Sequence, residues 1–197
     1  SDPMADGPTI QESSVRSLSN GTKINDIFEI VMKIREFNNE TPIILMGYYN
    51  SIFNLGIDNF TAKCAVTGVD GLIIVDLQPE EDSELLTKTK DKGIDLIRLI
   101  TPTTDQKRLT TILSNASGFL YYVTVNGITG QNSANIDDLK NSINVIKSST
   151  KLPIVAGFGI KNKNDVEQIS TFKDGVVVCS SIVNIIKDNL NDKNNMI

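Results

Sequence analysis

The chain has 197 residues, 40% of them hydrophobic and 22% charged, with a net charge of −5 and no histidine. That composition describes a soluble globular chain able to bury a real core, and the negative charge excludes non-specific binding to nucleic acid or anionic membrane. Without histidine there is no His-based triad, His general base or usual zinc site, so acid–base chemistry falls to Asp, Glu, Lys, Tyr or Cys.

The opening stretch, Ser1 to Gln11, packs two carboxylates, two prolines and a glycine around a helix start. Pro8 suits the first helical position, where its missing N–H costs nothing, and Gly7 is then the cap. Asp6 sits beside the positive end of the helix dipole, which favours its ionised form. Such a carboxylate can begin a helix or move a proton. The first helix runs from Pro8 to Ser19 and stops at Asn20-Gly21. A second begins at Thr22 or Asn25 and carries Ile24, Ile27, Phe28, Val31 and Ile34 at helical spacing.

From there, short apolar runs alternate with helices. The runs Ile43 to Met46, Gly71 to Val75, Asp95 to Leu99, Phe119 to Val123, Leu152 to Ala156 and Gly175 to Val178 read as strands covered on both faces. Between them, Asn59 to Thr67 reads as a helix with Phe60, Cys64 and Val66. Pro79-Glu80-Glu81-Asp82 opens another with acids in its first turn. Thr103 with Gln106 forms a capping box ahead of Leu109, Ile112 and Leu113. Ile136, Leu139, Ile143 and Ile146 mark a helix, as do Val166, Ile169 and Phe172 behind Asn162. Ser180 or Ser181 starts the last, through Ile182, Ile185 and Ile186. Arg98, inside a strand, needs a partner that the sequence does not identify. Cys64 and Cys179 lie in apolar segments and read as small buried hydrophobes in a reducing compartment. No apolar run approaches the ~18 residues of a membrane span, and no signal peptide is visible, which predicts a cytoplasmic protein.

Strict alternation predicts α/β architecture with a parallel sheet. A doubly wound sheet and a TIM barrel both fit, but no G-x-G-x-x-G follows a first strand. A full barrel needs eight strands and about 250 residues. Six βα units, with a chain that opens on Ser1 in a turn-rich segment, predict one domain over residues 1–197: an incomplete TIM (β/α)8 barrel holding strands three to eight.

In a barrel the chemistry lies at the C-terminal strand ends. Three loops stand out there. Thr124 to Ser133 is long, has two glycines and suits a lid. Gly157-Phe158-Gly159 and Ser180-Ser181 together suit a phosphate site built from backbone N–H groups and a helix start. The plain alternative is a βα turn and a helix cap. Tyr121 and Tyr122 point to opposite faces of their strand. Asp76, at the end of its strand, reads as a loop cap.

Several segments, in order, resemble the tryptophan synthase alpha subunit family: Ser1 to Gln11, Leu45-Met46-Gly47-Tyr48-Tyr49-Asn50, Gly68-Val69-Asp70-Gly71, Asp76-Leu77 with Pro79-Glu80-Glu81, Thr101-Pro102-Thr103, Gly127-Ile128-Thr129-Gly130 and Gly157-Phe158-Gly159-Ile160. The resemblance covers essentially the whole chain. It implies a TIM-barrel lyase of tryptophan biosynthesis that cleaves indole-3-glycerol phosphate to indole and glyceraldehyde 3-phosphate without metal or organic cofactor. It also implies a beta-subunit partner in an α2β2 complex.

By the same resemblance, Asp6 is the carboxylate near the indole N–H and Tyr121 the active-site tyrosine. Thr129 is the lid residue that meets the catalytic Asp. Gly130, Gly159, Ser180 and Ser181 bind the substrate phosphate, with Phe158 beside them. Ile10, Met46, Ile73, Val75 and Leu99 surround the indole. Asp2, Pro3, Asn50 and the Gln78 loop face the partner.

The chain departs from the family pattern in four places. The family's principal acid–base Glu falls before Ser1, so the 1–197 chain is expected to be inactive by itself. The C-terminal helix is short, Ser180 replaces a usual glycine, and Gln78 replaces the first of two prolines. Two other readings stay open: a partner that activates the beta subunit without turnover, and another phosphate-binding barrel enzyme.

Overall fold

A computed structural model of the chain describes residues 6–123, 133–157 and 174–191, without the side chains of 133–139. The first helix, α1 (Pro8–Ser19), forms as its punctuation dictates. Gly7 is the N-cap at φ 81°, Pro8 takes the first turn, and Gly21 ends it at φ 80°. Helix α2 (Ile24–Arg35) starts between the two expected positions: Lys23 is the cap, and its N–H donates to Asp26 Oδ2 at 2.7 Å.

The next elements are β1 (Ile44–Gly47), α3 (Tyr49–Leu55), α4 (Ile57–Thr67) and β2 (Gly71–Ile74). Helix α3 was not expected. It has only seven residues, too few for a helical period to declare itself. Gly56 separates it from α4 at φ 84°. Val66 on α4 is exposed, contrary to its reading as a core position.

Helix α5 (Ser83–Asp91) begins after the predicted acidic turn, with Asp82 as its cap. Next come β3 (Asp95–Leu96), β4 (Arg98–Ile100) and α6 (Gln106–Leu113). The expected Thr103–Gln106 box is replaced: Asp105 caps α6, accepting the Arg108 N–H at 2.7 Å. The Thr103 hydroxyl instead bonds that of Thr101 at 2.9 Å. The rest are β5 (Leu120–Val123), α7 (Ser133–Ser149), β6 (Ile154–Gly157), β7 (Gly175–Val177) and α8 (Ser180–Asp188). The expected helix behind Asn162 lies outside the described residues.

Every strand pairing is parallel, in the orders β1-β2-β3 and β4-β5-β6-β7. The strands β3 and β4 are one predicted strand divided at Ile97, whose N–H still donates to Leu72 O at 2.9 Å before Arg98 moves across to pair with Leu120. The parallel α/β fold is therefore as the alternation required, with helices following strands in turn.

One face of the sheet is helix-covered. Leu72, Ile74 and Leu96 pack with Phe28, Phe60 and Leu85. Ile100, Leu120, Tyr122, Ile154 and Ala156 pack with Leu109, Ile112 and Ile143. Arg98 lies in this layer, and the partner that the sequence left unidentified is Asp82. Helix α1 packs on α8, where Lys187 Nζ lies 2.6 Å from Glu12 Oε2, bringing the two ends of the described chain together.

Candidate functional site

In parallel pairing, registered neighbours project from the same face. Met46 pairs with Ile73, and Leu99 with Tyr121, which pairs in turn with Val155. Their alternates are the helix-packed residues, so Met46, Ile73, Leu99 and Tyr121 share the opposite, interior face. Tyr121 and Tyr122 divide as expected: Tyr122 is 1% exposed within the helix-side core, and Tyr121 is half-buried on the other side. Met46, at 50% exposed, looks into open space.

At the C-terminal strand ends, side chains from distant parts of the chain meet. The Tyr48 hydroxyl, just past β1, donates to Asp6 Oδ2 at 3.0 Å. Burial pushes the Tyr121 phenol above its ordinary value, and the nearby Cys179 and Asp6 push it further. The Cys179 thiol is likewise raised, by partial burial and then by the Asp6 carboxylate. Asp6 therefore stands with Tyr48, Tyr121 and Cys179 around it. Cys179 corrects the sequence reading. It is exposed, whereas Cys64 is fully buried, with its thiol pushed up to about 12.

Tyr121 is seated against Gly157. A Cβ at Gly157 would lie 2.5 Å from the tyrosine oxygen, so only glycine leaves room for the ring. Cys179, which faces Asp6, is the N-cap of α8, so Ser180 and Ser181, the first residues of that helix, follow it directly. Ser180 is exposed and Ser181 half-buried.

Val75 and Leu99 line a cavity of about 280 Å³ together with Gln78, Arg98, Thr101 and Arg108. Ile10 lies half-buried in the first turn of α1 and does not line this cavity. Asn50 and Gln78 are both exposed and follow neighbouring strands, so they share one end of the sheet. Gln78 Oε1 accepts from Arg108, which also pairs with Glu80. Asp2, Pro3, Thr129, Gly130, Phe158 and Gly159 lie outside the described residues. Among those described, no group of three or more Cys, Asp and Glu is placed to hold a metal ion. No described helix is long and apolar enough to cross a membrane.

Sequence reasoning named Asp6 and Tyr121 but missed Tyr48, Cys179 and Gly157 as their neighbours. The available signal was positional, since each stands at or just beyond the C-terminal end of a predicted strand.

Solved structures resemble this fold throughout. A tryptophan synthase alpha subunit from Legionella pneumophila str. Paris matches with TM-score 0.88 and 37% identity, over 98% of this chain and 71% of that one. A structure of the tryptophan synthase α2β2 complex from Pyrococcus furiosus matches with TM-score 0.87 and 35% identity, over 100% and 78%. The alpha subunit from Campylobacter jejuni matches with TM-score 0.85 and 36% identity, over 95% and 74%. The family model described as tryptophan synthase alpha chain matches residues 1–197. With an interior-facing tyrosine, a loop aspartate and a helix start gathered at the C-terminal ends of parallel strands, the chain belongs to the tryptophan synthase alpha chain family.

Proposed function

We propose that the chain serves its family's lyase reaction, the retro-aldol cleavage of indole-3-glycerol phosphate to indole and glyceraldehyde 3-phosphate. The carrying observation is the Asp6 carboxylate, held by the Tyr48 hydroxyl at 3.0 Å beside Tyr121. In the reaction indole C3 gains a proton, the bond from C3 to the glycerol chain breaks, and the adjacent glycerol hydroxyl gives up its proton as the aldehyde forms. Positive charge develops on the indole ring as C3 is protonated. A carboxylate accepting the ring N–H stabilises that charge where it appears. Asp6 fills this role.

Tyr121 remains a neutral phenol on the interior face and packs against the substrate. Met46, Ile73, Val75, Leu99 and Ile10 supply apolar surface for the indole. The first-turn N–H groups of Ser180 and Ser181 suit the phosphate, as does the positive end of the α8 dipole. Thr129, Gly130, Phe158 and Gly159 complete the lid and phosphate loop in this reading. A second carboxylate, the Glu that the family places ahead of the Ser-Asp-Pro motif, is needed for proton transfer at C3 and the hydroxyl.

The partner in this reading is a tryptophan synthase beta subunit in an α2β2 complex. The exposed Asn50 and Gln78 at one end of the sheet support it, and the family resemblance adds Asp2 and Pro3. The biosynthetic reaction and the two free thiols favour a cytoplasmic setting.

Indole release from indole-3-glycerol phosphate tests the proposal. The 1–197 chain is measured beside a version carrying a relative's first two βα units, glutamate included, ahead of Ser1, each with and without beta subunit. Release by the extended protein, and its loss by a factor of about 100 or more in Asp6→Asn with glycerol phosphate binding retained, is the expected result. No release from the extended protein in either condition overturns the reading.

A further inference from the structure

We propose that Tyr48 is the positioning residue for Asp6, and that the end of β2 holds Tyr48 in place through Asp76. This deepens the functional reading above and rests on it. Asp6 sits on a loop, one residue before a glycine at φ 81°. A carboxylate there has little of its own segment to orient it. The Tyr48 hydroxyl supplies the constraint by donating to Oδ2 at 3.0 Å. In this reading the other carboxylate oxygen, Oδ1, accepts the ring N–H of the indole.

Tyr48 comes from a much stiffer place than Asp6. It is the single extended residue between the end of β1 and the start of α3, at φ −113° and ψ 146°. Both of its neighbours are tied to the next strand. Val75 N–H donates to Gly47 O at 3.0 Å, and Tyr49 N–H donates to Asp76 Oδ1 at 2.7 Å. The second bond is charge-assisted and satisfies a donor that the first turn of α3 would otherwise leave without a helical acceptor. Two bonds from consecutive residues of the β2 end thus clamp the backbone on either side of Tyr48, and the phenol carries that rigidity to Asp6. A functional group on a loop gains its precision from such support.

Calorimetry on the 1–197 chain tests this with two probes: indole-3-propanol phosphate and its N-methylindole analogue, which lacks the ring N–H. Tyr48→Phe keeps the ring and drops only the hydroxyl. It is expected to weaken the N–H probe about tenfold and to leave the N-methyl probe unchanged. In an Asp6→Asn background the same substitution is expected to have no further effect. Asp76→Ala is expected to reproduce the selective loss, and Asp76→Asn, which keeps an acceptor for Tyr49 N–H, to restore binding. Equal weakening of both probes, no weakening of either, or effects of Tyr48→Phe and Asp6→Asn that simply add, overturns the positioning role and leaves the functional reading standing. If the unsubstituted chain binds neither probe, the same set is measured in the extended protein, and failure to bind there overturns the functional reading, and the positioning role with it.

Discussion

Arg98, in the middle of the sheet, meets the carboxylate of Asp82 in the protein interior, with 5% and 2% of their surfaces exposed. The ion pair joins β4 to the cap of α5, so it ties a strand to the helix that precedes it in the chain. Arg98 also lines the cavity that Val75 and Leu99 share.

Removing one member of this pair strands the other charge away from water. Arg98→Met or Asp82→Ala is expected to cost about 3–5 kcal/mol in urea unfolding. The double variant Arg98→Met with Asp82→Asn removes both charges and is expected to lose clearly less than the two single losses combined. Additive losses would show that the two residues act separately.

Gly157→Ala places a methyl group where the Tyr121 ring and hydroxyl now lie, at 2.5 Å. The residue has an ordinary backbone conformation, so the effect is one of space. Overpacking of this kind costs about 1–3 kcal/mol. The second variant, Gly157→Ala with Tyr121→Val, is expected to recover most of that stability. Thermal unfolding of the set checks it, and an unrelieved loss in the double variant would count against the contact.

The two cysteines separate by reagent and by pH. A disulfide reagent is expected to label Cys179 in the folded chain and Cys64 only after unfolding. The Cys64 thiol is raised from 9.0 to about 12 by burial. Below pH 9 both the folded and the unfolded chain keep that proton, so the stability it supports is fully present there. As pH climbs from 9 toward 12 the unfolded chain loses the proton first, and stability declines by up to about 1.4 kcal/mol per unit. Urea midpoints taken at about pH 8 and pH 10.5 should fall further for the parent than for Cys64→Ala. Equal falls would place the alkaline sensitivity elsewhere.

Asp174 acts at the acid end. Lys147 Nζ at 2.8 Å and the Ile154 N–H at 3.0 Å hold its carboxyl below its ordinary value of 3.8. Its contribution is present above that value and is lost as pH falls through the lower folded value. Being largely solvated, it is worth about 1 kcal/mol or less. Asp174→Asn is expected to be slightly less stable at neutral pH and to lose less between about pH 5 and pH 2.5. A parent and variant that decline in parallel would refute this.

The parts of the fold visible in the sequence are those set within one element. Gly7-Pro8 and Asn20-Gly21 bracket α1 because a positive φ and a missing N–H are local demands. The strand runs follow from short continuous apolar segments, and the division of Tyr121 from Tyr122 from a period of two. Harder cases arose where two local signals competed. Asp105 displaced Thr103 as the cap of α6 because it directly precedes the helix and a carboxylate accepts better than a hydroxyl. Cys179 and Cys64 sit in equally apolar sequence, and nothing local separates the one at the site mouth from the one in the core.

By itself the sequence determined a parallel α/β fold, the division of Tyr121 from Tyr122 between two faces and the family to which the matched residues point. Its periods are properties of single helices and strands, and they survive in one dimension. Only the tertiary structure decided that Asp6 meets Tyr48 across 42 residues, that Arg98 finds Asp82, and that Gly157 makes room for Tyr121. Those contacts join different elements of the chain, whose distance in space is set by sheet order and register and leaves no trace in spacing along the chain.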